Sequence, residues 1–120
     1  MTTVTKIFKF DAAHLLPDYV GKCKNLHGHS WRLDVEVARA IKGSAVYTTM
    51  IIDFGDLKKI VNDAVIDKLD HQYINDIVPG PPTAENMVGW IAYQLLETGL
   101  EVVSLKLWET DTSFATWRRA

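Results

Sequence analysis

Apolar and polar positions alternate along two stretches in the first third of the chain. Between residues 3 and 14, Phe8, Phe10, Ala12 and His14 share one phase, the two-residue period that sets side chains on one face of a strand. A histidine therefore ends an apolar stripe. Residues 29 to 39 alternate more clearly, with Trp31, Leu33, Val35 and Val37 opposed to Arg32, Asp34 and Glu36. His27 and His29 fall in phase with the apolar side if that strand extends back to them. After a turn at Lys42-Gly43-Ser44, the run from Val46 to Phe54 is rich in β-branched and aromatic residues, so segments two and three read as an antiparallel hairpin.

At Gly55 the period changes. Leu57, Ile60, Val61, Ala64, Val65 and Leu69 recur at helical spacing, with Asp53 placed to cap the helix and Asp56 in its first turn. A second helix is expected from Thr83, whose hydroxyl can cap it after Pro81-Pro82, through Met87, Ile91 and Leu95 to an end near Gly99. Residues 101 to 109 alternate again, Val103, Leu105, Leu107 and Glu109 against Val102, Ser104, Lys106 and Trp108. The order reads β-β-β-α-α-β, or β-β-α-α-β-β with the third segment a continuation of the sheet, and either way an α+β layer pair. Two helices cover one face of such a sheet. Aromatic and β-branched residues on both phases of strands one, three and four imply that part of the second face meets another subunit.

Composition narrows the function classes. The 120 residues suit a single domain over 1–120, and 48% apolar with 23% charged residues is the balance of a globular chain. Thirteen Lys and Arg against fifteen Asp and Glu leave a net charge of -2, with no basic run beyond Arg118-Arg119, so nucleic acid is not an expected partner. No apolar stretch approaches the ~20 residues that span a bilayer, and the N-terminal residues lack a secretory pattern, so a cytoplasmic protein with no membrane partner is expected. Cys23 is the only cysteine and can form no intrachain disulfide; as a lone thiol it is either a small buried hydrophobe or chemically employed.

The chemistry-bearing residues are His14 and the run Cys23-Lys24-Asn25-Leu26-His27-Gly28-His29. Histidines at i and i+2 of a strand point to one side, Gly28 removes a side chain that would stiffen their approach, and an antiparallel partner brings His14 back beside them. Three imidazoles suit Zn2+, and three protein ligands leave a position open, the arrangement of catalytic zinc. Cys23 can complete a closed, structural site as a fourth ligand. Left unligated near a dication, its thiol would have a lowered pKa and act as base or nucleophile. Asp70 beside His71 can fix an imidazole tautomer, or be an ordinary polar helix end. Glu109 ends the apolar phase of its strand, where a carboxylate must find partners, such as paired N–H donors of a planar ligand, or reach solvent.

The segments F-D-A-A-H (10 to 14), C-K-N-L-H-G-H (23 to 29), L-D-H-Q-Y-I-N-D (69 to 76), P-T-A-E-N (82 to 86) and W-E-T (108 to 110) together resemble the 6-pyruvoyltetrahydropterin synthase superfamily over nearly the whole chain. The three residues between Cys23 and His27 are similar to the spacing of its bacterial 6-carboxy-5,6,7,8-tetrahydropterin synthase branch, of the queuosine pathway. The resemblance implies a four-stranded antiparallel sheet with two helices on one face (the tunnelling fold, or T-fold), trimers closing a barrel and two trimers stacking into a hexamer. It implies that His14, His27 and His29 ligate zinc, that Cys23 is the catalytic base, and that Asp70 and His71 form a second proton relay. It further implies that Glu109 anchors a pterin ring with Thr83 nearby, and that active sites lie between subunits.

The implied reaction takes 7,8-dihydroneopterin triphosphate to 6-carboxytetrahydropterin with release of triphosphate and acetaldehyde. It is redox-neutral, in keeping with the lack of a nicotinamide motif. One departure stands out: Leu15 follows His14 where the bacterial branch often has a basic residue, leaving Lys22 or Lys24 as possible triphosphate contacts. The alternatives are a pyruvoyl-forming or side-chain-cleaving synthase with the same site, and a non-catalytic zinc-stabilised binding module closed by Cys23.

Overall fold

In the computed structural model, which describes residues 1–17, 25–39 and 49–120, β1 (Val4–His14) pairs antiparallel with β2 (His27–Arg39) over its full length. The expected stripes face one way. Phe8, Phe10, Ala12 and His14 of β1 and Trp31, Leu33, Val35 and Val37 of β2 are all buried, and a slip of one residue would turn every one of them to the other face. Burial of each large side chain is worth about 1.5–3 kcal/mol, so the stripes hold the register that sets His14 opposite His27.

The third expected strand is not observed among the described residues of Val46 to Phe54. Residues 49–53 are irregular, Phe54 begins a helix, and residues 46–48 lie outside the described residues. Ile52 is buried from an irregular backbone and Asp53 caps the helix, so burial and capping override the β propensity of this run. The neighbours of β2 are β1 and β3 (Glu101–Thr110), and the fourth strand is β4 (Ser113–Arg118), a hairpin partner of β3. The sheet runs β1-β2-β3-β4 and is antiparallel throughout. The observed order among the described residues is thus β-β-α-α-β-β, and its last strand, β4, lies beyond the segments read from the pattern.

The first helix begins as α1 (Phe54–Val61), whose Asp53 side chain accepts from the Gly55 and Asp56 N–H groups. It continues through a π-helical segment, Asn62–Ile66, and ends as α2 (Asp67–Leu69). The π segment answers a geometric need. Leu57, Val61, Val65 and Leu69 lie four apart and are all fully buried, yet at 3.6 residues per turn each such step overshoots by about 40°. Looser winding in the middle returns the later residues to the core face. The second helix, α3 (Ala84–Leu96), is capped by the Thr83 hydroxyl accepting from the Asn86 N–H and buries Met87, Val88, Ile91, Ala92 and Leu95 against the sheet. Gly99, at φ 89, takes the left-handed conformation that the turn into β3 requires.

One expectation about faces needs correction. Val103 was expected on the core side with Leu105 and Leu107, but register shifts against β2 near Val37 bury Val102 and leave Val103 half-exposed. The face away from the helices mixes apolar side chains, exposed Ile7 and the tilted Trp108–Phe114 ring pair, with charge. Arg32 pairs with Asp34 at 2.8 Å and lies 5.0 Å over the Trp108 ring, while Glu36 accepts from Thr3 Oγ1 at 2.6 Å and Ser104 Oγ at 2.7 Å. Those two hydroxyls hold the Glu36 carboxyl below its usual range.

Candidate metal centre

Cross-strand pairing puts His14 opposite His27 and Ala12 opposite His29, so the three imidazoles meet at one end of the β1–β2 ladder, ring centroids 4.6 to 5.1 Å apart. Trp31 forms the floor: its ring meets His14 and His29 edge-on at 5.1 and 5.4 Å, and its Nε1–H donates to the Ala12 carbonyl. Gly28 is not required by space, contrary to expectation. A Cβ there would lie 3.8 Å from the Ala12 oxygen, an ordinary contact, and the backbone is not left-handed.

The second ring nitrogens fix the tautomers. His14 Nδ1 lies 2.9 Å from the Pro82 carbonyl oxygen and His27 Nδ1 lies 2.6 Å from that of Asn25. A carbonyl can only accept, so each Nδ1 carries the hydrogen, and in the neutral imidazole each Nε2 keeps a lone pair for a ligand. Burial pulls the His29 imidazole below its usual range, with Glu109 opposing and the other two histidines adding to the shift, which favours the neutral, coordinating form.

Glu109 completes the group. Trp108 pairs with Phe114 and Thr110 with Ser113, so Glu109 is the extra residue of a β-bulge, a device that re-aims one side chain. Its Oε1 lies 3.2 Å from Nε2 of both His14 and His29, and the donor atoms of His14, His27, His29 and Glu109 all fall within 4.8 Å of one another. Nε2 of His14 and of His29 are buried without a hydrogen-bond partner. For a neutral His14 the contact sets a lone pair against a carboxylate oxygen, two acceptors facing each other, an arrangement relieved by a metal ion or a proton between them. Ligand atoms 3.2 Å apart can share an ion held at about 2.0–2.2 Å, and imidazole with carboxylate is a donor set that suits zinc. The residues fit the metal.

Beside this group lies a cavity of about 320 Å³ lined by Ala84, Glu85, Glu109, Ser113, Phe114 and Ala115. A family profile described as 6-pyruvoyl tetrahydropterin synthase matches residues 3–120. The chain belongs to that family. It is 36% identical over 140 residues to the 6-carboxy-5,6,7,8-tetrahydropterin synthase of Haemophilus influenzae, covering 98% of this chain and 99% of that one. It is 41% identical over 120 residues to the protein of the same name from Synechocystis sp., covering 98% and 93%. The 6-pyruvoyl tetrahydropterin synthase of Caenorhabditis elegans, a solved structure, matches the fold with a TM-score of 0.80 at 22% identity, over 99% of this chain and 96% of that one. The fold expected from the motifs, a four-stranded antiparallel sheet with two helices, is therefore that of the pterin synthases.

Within this family framework the remaining sequence-predicted residues separate. Cys23, Lys22 and Lys24 lie outside the described residues. Asp70 and His71 adjoin each other at 3.1 Å, but at Asp11 on the outer edge of β1, three residues or roughly 10 Å along the strand from His14. His71 is left-handed at φ 59 and largely exposed, the kind of backbone outlier that persists where surroundings enforce it. Asp11 does so here, donating its N–H to Asp70 Oδ1 and accepting from the His71 N–H. The Thr83 hydroxyl is committed to capping α3. Glu85 escaped the sequence reading, because an acid in the first turn of a helix is sufficiently explained by the dipole. Only the cavity marks it. No helix among the described residues is long and apolar enough to cross a membrane.

Proposed function

We propose that this chain is a zinc-dependent 6-carboxy-5,6,7,8-tetrahydropterin synthase acting on 7,8-dihydroneopterin triphosphate. The observation that carries the reading is the convergence of imidazole lone pairs and Glu109 beside a cavity that also takes in Glu85. The choice of branch rests on the names of the relatives at 36% and 41% identity. When bound, zinc supplies Lewis acidity toward the hydroxyls it holds. The chain's own residues do the rest. His14, His27 and His29 hold the ion; Cys23, as thiolate, takes the carbon-bound proton; His71, its tautomer held by Asp70, returns a proton elsewhere. The resemblance makes Glu109 the anchor of the pterin ring, and the geometry supports a second role for it. Its engagement with His14 and His29 favours a place at the metal end, with Glu85 accepting from the paired N–H donors of the pterin.

Incubation with 7,8-dihydroneopterin triphosphate is expected to release triphosphate and acetaldehyde in equal amounts. Triphosphate without acetaldehyde would assign the chain to the pyruvoyl-forming alternative. The nearness of Glu109 as a fourth donor favours one other reading, a closed zinc site in a binding module, and a protein that holds zinc yet releases neither product would be that module.

The separation of Asp70-His71 from the histidine cluster supports an active site shared between subunits, as does an open sheet face with β1 and β4 at its edges. We therefore expect a cytoplasmic hexamer, or at least a trimer, by light scattering at micromolar concentration. A monomer with full activity is the result that rules out the shared site.

A further inference from the structure

Residues 70–75 run along the outer edge of β1 and bond to every second residue there. His71 N–H donates to the Asp11 carbonyl, Ala13 N–H to that of Gln72, and Ala13 and Tyr73 form an isolated parallel bridge. The last contact is made by a side chain. Asn75, in the short 3₁₀ helix Ile74–Asp76, accepts from the Leu15 N–H through Oδ1 at 3.0 Å and donates through Nδ2 to the Leu15 carbonyl at 2.8 Å. A backbone N–H can only donate and a carbonyl only accept, so the orientation of the amide is determined. The side chain thus takes the place of a neighbouring strand's peptide at the residue immediately after His14.

We propose that Asn75 is a positioning residue of the metal centre: it clamps the end of β1 so that the His14 imidazole meets His27 and His29 in coordinating geometry. Three observations support this. β1 ends at His14, so the ladder to β2 stops there and cannot hold Leu15. Among the described residues the His14 ring has one hydrogen-bond partner, the Pro82 carbonyl at 2.9 Å, which sets its tautomer but not the path of its backbone. Finally, Asn75 follows Asp70-His71 on the same edge-binding segment, so one clamp joins the relay pair to the metal ligand.

The inference rests on the proposed metal site, and the test separates the two. Zn2+ affinity is measured by competition with a chromophoric chelator, and coordination geometry by the visible spectrum of the Co2+-loaded protein. Wild type, Asn75→Ala, Asn75→Asp, His27→Ala and Thr98→Ala are compared. Thr98 caps the far end of α3 through its hydroxyl on the Leu95 carbonyl, so Thr98→Ala controls for simple destabilisation. Asn75→Ala is expected to weaken Zn2+ by about 10- to 100-fold, the usual effect of losing an outer partner of a ligand, and to alter the Co2+ spectrum. Asn75→Asp keeps the acceptor for Leu15 N–H but sets a carboxylate oxygen against the Leu15 carbonyl, so it too should weaken Zn2+, and it supplies the reading if the alanine variant does not fold. Thr98→Ala should bind as wild type does. Affinity and spectrum unchanged in both Asn75 variants, or a loss in Thr98→Ala equal to theirs, overturns the positioning role. Equal Zn2+ binding by wild type and His27→Ala would instead overturn the metal site itself.

Discussion

His27→Ala and His29→Ala proteins are expected to fold and to purify without zinc, where the wild-type protein carries about one ion per chain by elemental analysis. Both residues lie near the start of β2 and are only partly buried, so truncation removes a donor without emptying the core. The loss should exceed the roughly 100-fold that an outer-shell change costs, because a ligand itself is gone. His14→Ala is expected to do more. Its ring is fully buried against Trp31 and bonded to the Pro82 carbonyl, so the variant should lose metal and several degrees of melting temperature together. Cys23→Ala is the contrast: it should keep its zinc, since His14, His27 and His29 supply three imidazole ligands without it. Zinc lost from Cys23→Ala as completely as from the histidine variants would make the thiol a ligand and remove it as the base.

The second large effect is on the chemical step. Cys23→Ala should still bind pterin while turning over about 10²- to 10⁴-fold more slowly, the usual contribution of a positioned general base. His71→Ala should lower the rate and leave zinc content unchanged, since His71 is remote from the imidazole cluster within one chain. The double variant decides whether they act together. Two residues of one proton-transfer chain give losses far smaller than the product of the single losses, and independent multiplication would break the shared relay. The two carboxylates should separate as well. Glu85→Gln should raise KM with a smaller change in kcat, because a neutral amide offers one acceptor where the carboxylate offered two. Glu109→Gln should weaken zinc, because Oε1 stands against two imidazole nitrogens. The reverse pattern would return the ring-anchoring role to Glu109.

Much of this was legible in the sequence because it depends on period alone. The two-residue alternation in residues 3–14 and 29–39 identified β1 and β2 and the faces of their histidines, since side chains must alternate across a strand. Both helix caps, Asp53 and Thr83, were legible for a similar reason: the four leading N–H groups of a helix need acceptors, and short polar side chains before an apolar periodic run supply them. The combined motifs, taken together, also sufficed for the family.

What failed was whatever depends on partners distant in sequence. Ile51 and Ile52 have the composition of a strand, but no edge was free beside β2 once β3 had paired with it, so that run became the lead into α1. β4 went unread because the short run from Ser113 to Arg118 gains its strand character by pairing with β3. The bulge at Glu109 and the shift beside Val103 arise from mismatched registers between neighbouring strands, which no single strand's pattern can reveal. The sequence by itself therefore determined which residues could coordinate and which face of which strand they occupied. Only the tertiary structure decided that Glu109 joins the histidines, that Glu85 opens on the same cavity, and that an asparagine sixty positions away in sequence holds the residue after His14. Those arrangements are made by strand register and edge contacts, and such contacts exist only once the chain has folded.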